Sequence, residues 1–192
     1  MGASATRTRR WSRVEYERLI DKGVFLPGER IELLAGELVV REPQGTPHAM
    51  GIGLVEEALR RAFGPGWYVR VHMPVALDDE SEPEPDVVVV PGGPRDYPRA
   101  HPSRPVLVVE VAEASLALDR AQKGSLYARA GVGDYWIVNL VENVLEVYRE
   151  PAASPSAPSG WHYHTVVRLM PTDGVSPLAA PEARVPVADL LP

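Results

Sequence analysis

Cysteine is absent from this 192-residue chain, which excludes a disulfide framework, a thiolate metal site and a nucleophilic thiol. Lysine is nearly absent: of 20 basic residues, 18 are arginine and only Lys22 and Lys123 are lysine. No run approaches the roughly 20 apolar residues of a membrane span, and the polar, basic start from Met1 to Arg10 lacks the apolar stretch of a secretion signal. A cytoplasmic protein without a membrane partner is the expectation. Excess positive charge is missing too. The net charge is -6, acid is bunched from Asp78 to Glu84, and arginine is scattered, so no basic stripe is available to follow a phosphate backbone. Any contact with nucleic acid is expected to be local.

What is present suits one domain over residues 1–192, with 45% hydrophobic residues available for a core. Two continuous apolar runs stand out, Val87 to Val90 and Val106 to Val109, with Asp86 just before the first and Glu110 just after the second. Such β-branched runs, bounded by Pro and Gly, read as strands buried on both faces of a sheet. If they pair antiparallel with 88 opposite 108, then 86 falls opposite 110, and strand alternation points Asp86 and Glu110 to the same face. Two carboxylates that close repel. They are either partly protonated or held together by a cation, for which a hard divalent ion is the common choice.

The segment Asp119 to Gly131 reads as a helix ended by glycine, with Asp119, Lys123 and Tyr127 four residues apart on one face. In a chain that uses arginine by default, Lys123 suggests a task for a compact ammonium that a guanidinium cannot perform. The plain alternative is a solvated helix lysine.

Along the chain, Ser12 and Glu15 form a capping-box pattern that opens a helix to about Asp21. Arg30 to Val40 reads as two short strands around Ala35-Gly36, with Glu32 and Glu37 as acids of interest. His48 opens a helix to Phe63 with Met50, Ile52, Leu54, Val55, Leu59 and Phe63 facing inward; His48 itself is a site candidate or a structural hydrogen bonder. Trp67 to Leu77 alternates as a strand with a flaw at Pro74. The proline- and glycine-rich stretch from Pro91 to Pro105 is a long surface loop. Asp134 to Leu140 is a third buried strand, parallel to its neighbour through the helical crossover. Pro151 to Gly160, rich in Pro, Ser and Ala, reads as a flexible connector or hairpin tip, and the remainder as short strand or helical pieces.

A metal held by paired carboxylates can activate water and neutralise charge on a transferring phosphoryl group, and a nearby ammonium can stabilise the transition state. That is phosphodiester hydrolysis. The same residues resemble the PD-(D/E)XK restriction-endonuclease-like superfamily and, within it, the Uma-type family of restriction endonucleases. The resemblance lies in Trp11 to Leu19, Ile31 to Leu38, Pro47-His48, Glu84 to Val87, Leu107 to Val111, Asp119, Lys123, Tyr127, Asp134 to Trp136, and Val185 to Leu190.

It implies an α/β fold in which helices flank a central mixed sheet. It also implies a Mg²⁺-dependent nuclease site, with Mn²⁺ as a substitute, acting on DNA. Asp86 and Glu110 map onto the metal-binding acids and Glu32 onto a further acid of the site; His48, Asp119 and Tyr127 are accessory candidates. One departure is that the lysine of the superfamily pattern, two residues after the glutamate, is Ala112 here, so Lys123 is the substitute. Another is Ala114-Ser115, where relatives tend to have Ser-Pro. Two further readings stay open: a non-catalytic nuclease-fold module that binds nucleic acid or protein, and a hydrolase of a small phosphate compound. A homodimer is compatible with any of them.

Overall fold

The computed structural model describes residues 8–41 and 43–192, so the first seven residues of the basic start lie outside it. Its centre is the pair of valine-rich runs. Val87–Pro91 (β4) and Leu107–Ala112 (β5) lie antiparallel with Val87 opposite Val109, Val88 opposite Val108 and Val89 opposite Leu107. One more step of that register places position 86 against 110, as the sequence predicts. β-branched side chains fill both faces here, and Val87 to Val90 and Val106's neighbours Leu107 to Val109 are fully buried.

Around this pair the sheet grows to six strands in the order β3-β4-β5-β6-β7-β8, where β3 is Trp67–Val71, β6 is Asp134–Asn139, β7 is Val144–Ala153 and β8 is Trp161–Leu169. Only β5 and β6 run parallel. Parallel neighbours need a crossover, and a helical segment between them supplies it. This segment, α3, comprises three successive pieces, Leu116–Leu118, Asp119–Lys123 and Gly124–Arg129, the middle one a π turn. Within it Gly124 N–H donates to the carbonyl of Asp119, five residues back. Glycine suits that crowded turn, because a Cβ there would stand 3.3 Å from the same carbonyl oxygen.

The two sheet faces bury different partners. Odd-numbered positions of β4 and β5, with Trp136 and Val138, pack against Ile52, Val55, Leu59 and Phe63 of α2 (Thr46–Phe63) and against Val187 and Leu190 near the C-terminus. Even-numbered positions, with Tyr135 and Ile137, face Tyr127 and Ala128 of α3. Each such valine contributes about 1.5 to 3 kcal/mol when withdrawn from water. Asp86 and Glu110 are even-numbered and so share the α3 side.

A separate hairpin, β1 (Arg30–Leu34) and β2 (Glu37–Arg41), turns at Ala35 and Gly36, whose φ of 49° and 81° match the primed turns that suit hairpin twist. It is docked beside β4 through Glu82 N–H donating to Leu33 O at 2.8 Å and Gly36 N–H donating to Glu80 O at 2.7 Å. Helix α1 (Arg13–Asp21) starts at Ser12 with the predicted capping box, and its Tyr16 hydroxyl donates to Ile31 O at 2.5 Å. The chain from Leu77 to Pro85 thereby becomes a strap between hairpin and sheet.

Several local expectations are corrected. Helix α2 begins at Thr46, because Pro47 is at home in a first turn, so His48 is already inside it. Met50 points outward at 55% exposure while Ile52 and Val55 fill the interface. Strand β3 stops at Val71, since His72 adopts φ 50°, which no strand tolerates. The acid-rich stretch from Asp78 is not wholly a surface turn: Ser81 and Glu82 are buried beneath the hairpin. Pro151 to Ala153 belong to β7 instead of the connector. The pairing of β7 with β6 ends at Arg149, so the missing N–H of Pro151 costs no ladder bond on that side. No helix among the described residues is long and apolar enough to cross a membrane.

Candidate functional site

Asp86 enters β4 from the strap and Glu110 lies within β5, and each carboxylate is fastened to the other's strand. Val111 N–H donates to Asp86 Oδ2 at 2.9 Å, and Asp86 N–H donates to Glu110 Oε2 at 3.3 Å. Both residues are 1% exposed. The structure therefore brings together the two acids that the register predicts, in the geometry of a crossed pair.

Lys123 is buried, not solvated. Its Nζ lies 3.0 Å from Glu110 Oε1 and 3.2 Å from Glu32 Oε2, with Asp119 at 4.0 Å. Burial alone would lower its pKa, but the carboxylates of Glu110, Glu32 and Asp119 outweigh burial and hold the ammonium above its usual range. Tyr127, one turn on, donates its hydroxyl to the same Glu110 Oε1 at 2.7 Å. Burial, then the charge of Glu110, pushes the carboxyl of Asp119 up to about 7; Ser115 donates to its Oδ2 at 2.6 Å.

Glu32 arrives from β1, beside the sheet. Burial raises its pKa against the opposing pull of Lys123 and Arg41. His48 Nε2, in the first turn of α2, lies 3.2 Å from Asp86 Oδ2. Glu32, His48, Asp119 and Lys123 all line one cleft of about 220 Å³, together with Gln44, Ser115 and Leu118. Asp86, Glu110 and Tyr127 lie buried behind this lining, joined to it through Lys123 and His48, so these candidates form one connected cluster. Glu37, the other acid of the hairpin, is exposed and takes no part in it.

Three contributors escaped the sequence reading. Arg41 donates through Nη2 to Asp86 Oδ1 at 2.7 Å and through Nη1 to the Glu84 carbonyl at 2.6 Å, with the same Nη1 at 3.1 Å from Glu32 Oε1. Gln44 Nε2 donates to Asp86 Oδ1 at 3.2 Å, and His72 Nε2 stands 3.4 Å from it. Burial would raise the Asp86 carboxyl, but His48, His72 and Arg41 together hold it well below the usual range. A signal for Arg41 existed. The two-residue turn sets Glu32 opposite Val39, which puts Arg41 diagonally across on the same face of the hairpin.

Carboxylate oxygens are the donors that a hard divalent cation takes. Counted as fully ionised, Glu32, Asp86 and Glu110 exceed Arg41 and Lys123 by one negative charge. Glu32 Oε2, paired by charge with Lys123 at 3.2 Å, and His48 Nε2 are buried without an aligned hydrogen bond. Among the described residues no three His, Asp or Glu side chains form a preset cage. Mg²⁺ does not require one, since it is commonly held by one or two carboxylates plus water and substrate phosphate.

Comparison with known proteins agrees with this architecture. A family model described as "Uma2: Putative restriction endonuclease" matches residues 13–187. A crystal structure from Anabaena variabilis ATCC 29413, of "a putative nuclease belonging to DUF820", superimposes with a TM-score of 0.63 at 17% identity, covering 89% of this chain and 96% of the other. No curated protein matches the sequence.

Proposed function

The chain belongs to the Uma2 family of restriction-endonuclease-like nucleases, and on that premise we propose that it is a Mg²⁺-dependent endonuclease that hydrolyses DNA phosphodiester bonds, with Mn²⁺ able to substitute. The observation that carries the reading is the crossed Asp86–Glu110 pair with the buried Lys123 ammonium, which lines the cleft, 3.0 Å from Glu110. Asp86 and Glu110 would hold the metal, which when bound supplies Lewis-acid stabilisation and a more acidic water.

The protein's own groups do the rest. The Tyr127 hydroxyl fixes the orientation of Glu110. Lys123, anchored to Glu110 and Glu32, presents fixed positive charge where negative charge grows on the phosphoryl oxygens, so no reorganisation is needed as the bond breaks. His48 borders the cleft near Asp86, placed to contact a phosphate or its water. Glu32 supports Lys123 and Arg41 from the hairpin.

Plasmid cleavage tests this reading. Wild type should nick or cut DNA with Mg²⁺ or Mn²⁺ and not with EDTA, while Asp86→Ala should be inactive under all conditions. Metal-independent cutting, or equal cutting by Asp86→Ala, would overturn it. A second reading, a non-catalytic module of the same fold that binds nucleic acid or a protein partner, draws on the net charge of -6 and predicts binding without cleavage.

A further inference from the structure

Arg41 occupies an unusual place for a structural clamp. Its guanidinium bridges two buried acids, 2.7 Å from Asp86 and 3.1 Å from Glu32, yet its side chain keeps 14% exposure and borders the cleft. Among the described residues it is the only arginine lining that cleft. The other strong cation there, Lys123, is 2% exposed and committed to Glu110 and Glu32. The cleft also carries Glu32, Glu113 and Asp119. An approaching phosphodiester therefore meets acid, and one cation able to turn toward it.

We propose, building on the metal-dependent nuclease reading, that Arg41 is an exchangeable counter-ion: it neutralises Asp86 and Glu32 while the site is metal-free, and on metal binding it leaves Asp86 to hold the substrate phosphate. A guanidinium suits both partners. Its planar fork pairs with a carboxylate and a phosphate in the same bidentate manner, and its weak hydration lowers the cost of moving between them. With a divalent ion on Asp86, Arg41 would sit beside a like charge, and the neighbouring anion in the cleft relieves that repulsion. Metal and DNA then favour each other reciprocally, because each makes the arrangement that suits the other.

The test is a Mn²⁺ binding isotherm, read from the electron paramagnetic resonance of free Mn²⁺, with the protein alone and with a phosphorothioate duplex that resists hydrolysis. Wild type should bind Mn²⁺ weakly alone and at least about tenfold more tightly with the duplex. Arg41→Ala should bind Mn²⁺ more tightly than wild type without DNA, by about tenfold, and gain nothing from the duplex. Arg41→Lys covers the case in which the alanine variant does not fold: it keeps the charge but cannot bridge both acids, so it should bind Mn²⁺ alone more tightly than wild type by a smaller factor.

Equal Mn²⁺ affinity in wild type and the folded variant, or duplex-induced tightening that survives in it, would overturn the exchange while leaving the nuclease reading intact. A clamp with a purely structural role gives that result, with a lower melting temperature. Failure of wild type to bind Mn²⁺ with or without duplex would remove the metal reading and this inference with it.

Discussion

Asp86 and Glu110 are held by each other's backbone: the carboxylate of Asp86 accepts the N–H of Val111, and the carboxylate of Glu110 accepts the N–H of Asp86. At the point where β4 and β5 stop pairing, these side chains substitute for the next rung of the ladder. The two acids therefore cannot separate without fraying the centre of the sheet. This keeps like charges together that would otherwise drift apart.

Asp86→Asn keeps the shape but loses the charge that Arg41, His48 and His72 surround. Mg²⁺ or Mn²⁺ should raise the melting temperature of wild type by mass action and leave that of Asp86→Asn unchanged. Thermal scans at increasing metal concentration decide the matter; an equal rise in the variant would place the metal elsewhere.

Lys123→Ala should cut cleavage roughly 10² to 10³-fold. It should also destabilise the fold by about 3 to 5 kcal/mol, because Glu110 and Glu32 would be left buried without their ammonium. A sequence reading of Lys123 as a helix-surface residue would put the stability loss near zero. Lys123→Arg should be damaging in both respects, since a larger planar group does not fit a position that is 2% exposed. Denaturant melts beside the cleavage assay separate the two effects, and a fully active, stable Lys123→Arg protein would contradict the assignment.

Tyr127→Phe removes one donor to Glu110 and nothing else of size, for a stability loss of about 1.5 to 3 kcal/mol. If Tyr127 positions Glu110 for metal, the variant should need more Mg²⁺ to reach half-maximal cleavage. A loss of stability with an unchanged Mg²⁺ curve would reduce Tyr127 to a packing role.

Glu82 offers a pH test away from the cleft. Burial, and then the charge of Glu17, pushes its carboxyl up to about 7 from an ordinary 4.5. A raised carboxyl pKa gives stability that is complete below the ordinary value and lost as pH climbs through 7. Glu82→Gln cannot ionise, so it should match wild type near pH 4.5 and melt several degrees higher near pH 8. A constant gap across that range would show that Glu82 does not titrate there.

The sheet centre was legible because valine runs admit few other readings, and from their register the common face of Asp86 and Glu110 followed. The rarity of lysine singled out Lys123, but its burial depends on Glu32, 91 residues away in the chain, which no local pattern reports. Arg41 was hidden among 18 arginines, although the hairpin register pointed to it. His72 owes its place to a backbone with positive φ at a residue type that gives no such cue. The π turn also has no local signature, since five-residue hydrogen bonding uses the same amino acids as four.

That turn makes the helix a phase dial. An α-helix advances about 100° per residue, so the wider turn at Asp119–Lys123 works as one residue of slack wound into the crossover. Deleting a single residue there would leave the composition of the site intact and both strands untouched, yet swing one side of α3 relative to the other. Ser115 precedes the slack and Tyr127 follows it, with Asp119 and Lys123 at its two edges. In a chain whose lysine comes from the helix and whose acids come from the sheet, angular timing along α3 becomes an inherited quantity, open to insertion and deletion in a way that a lysine carried on β5 itself would never be.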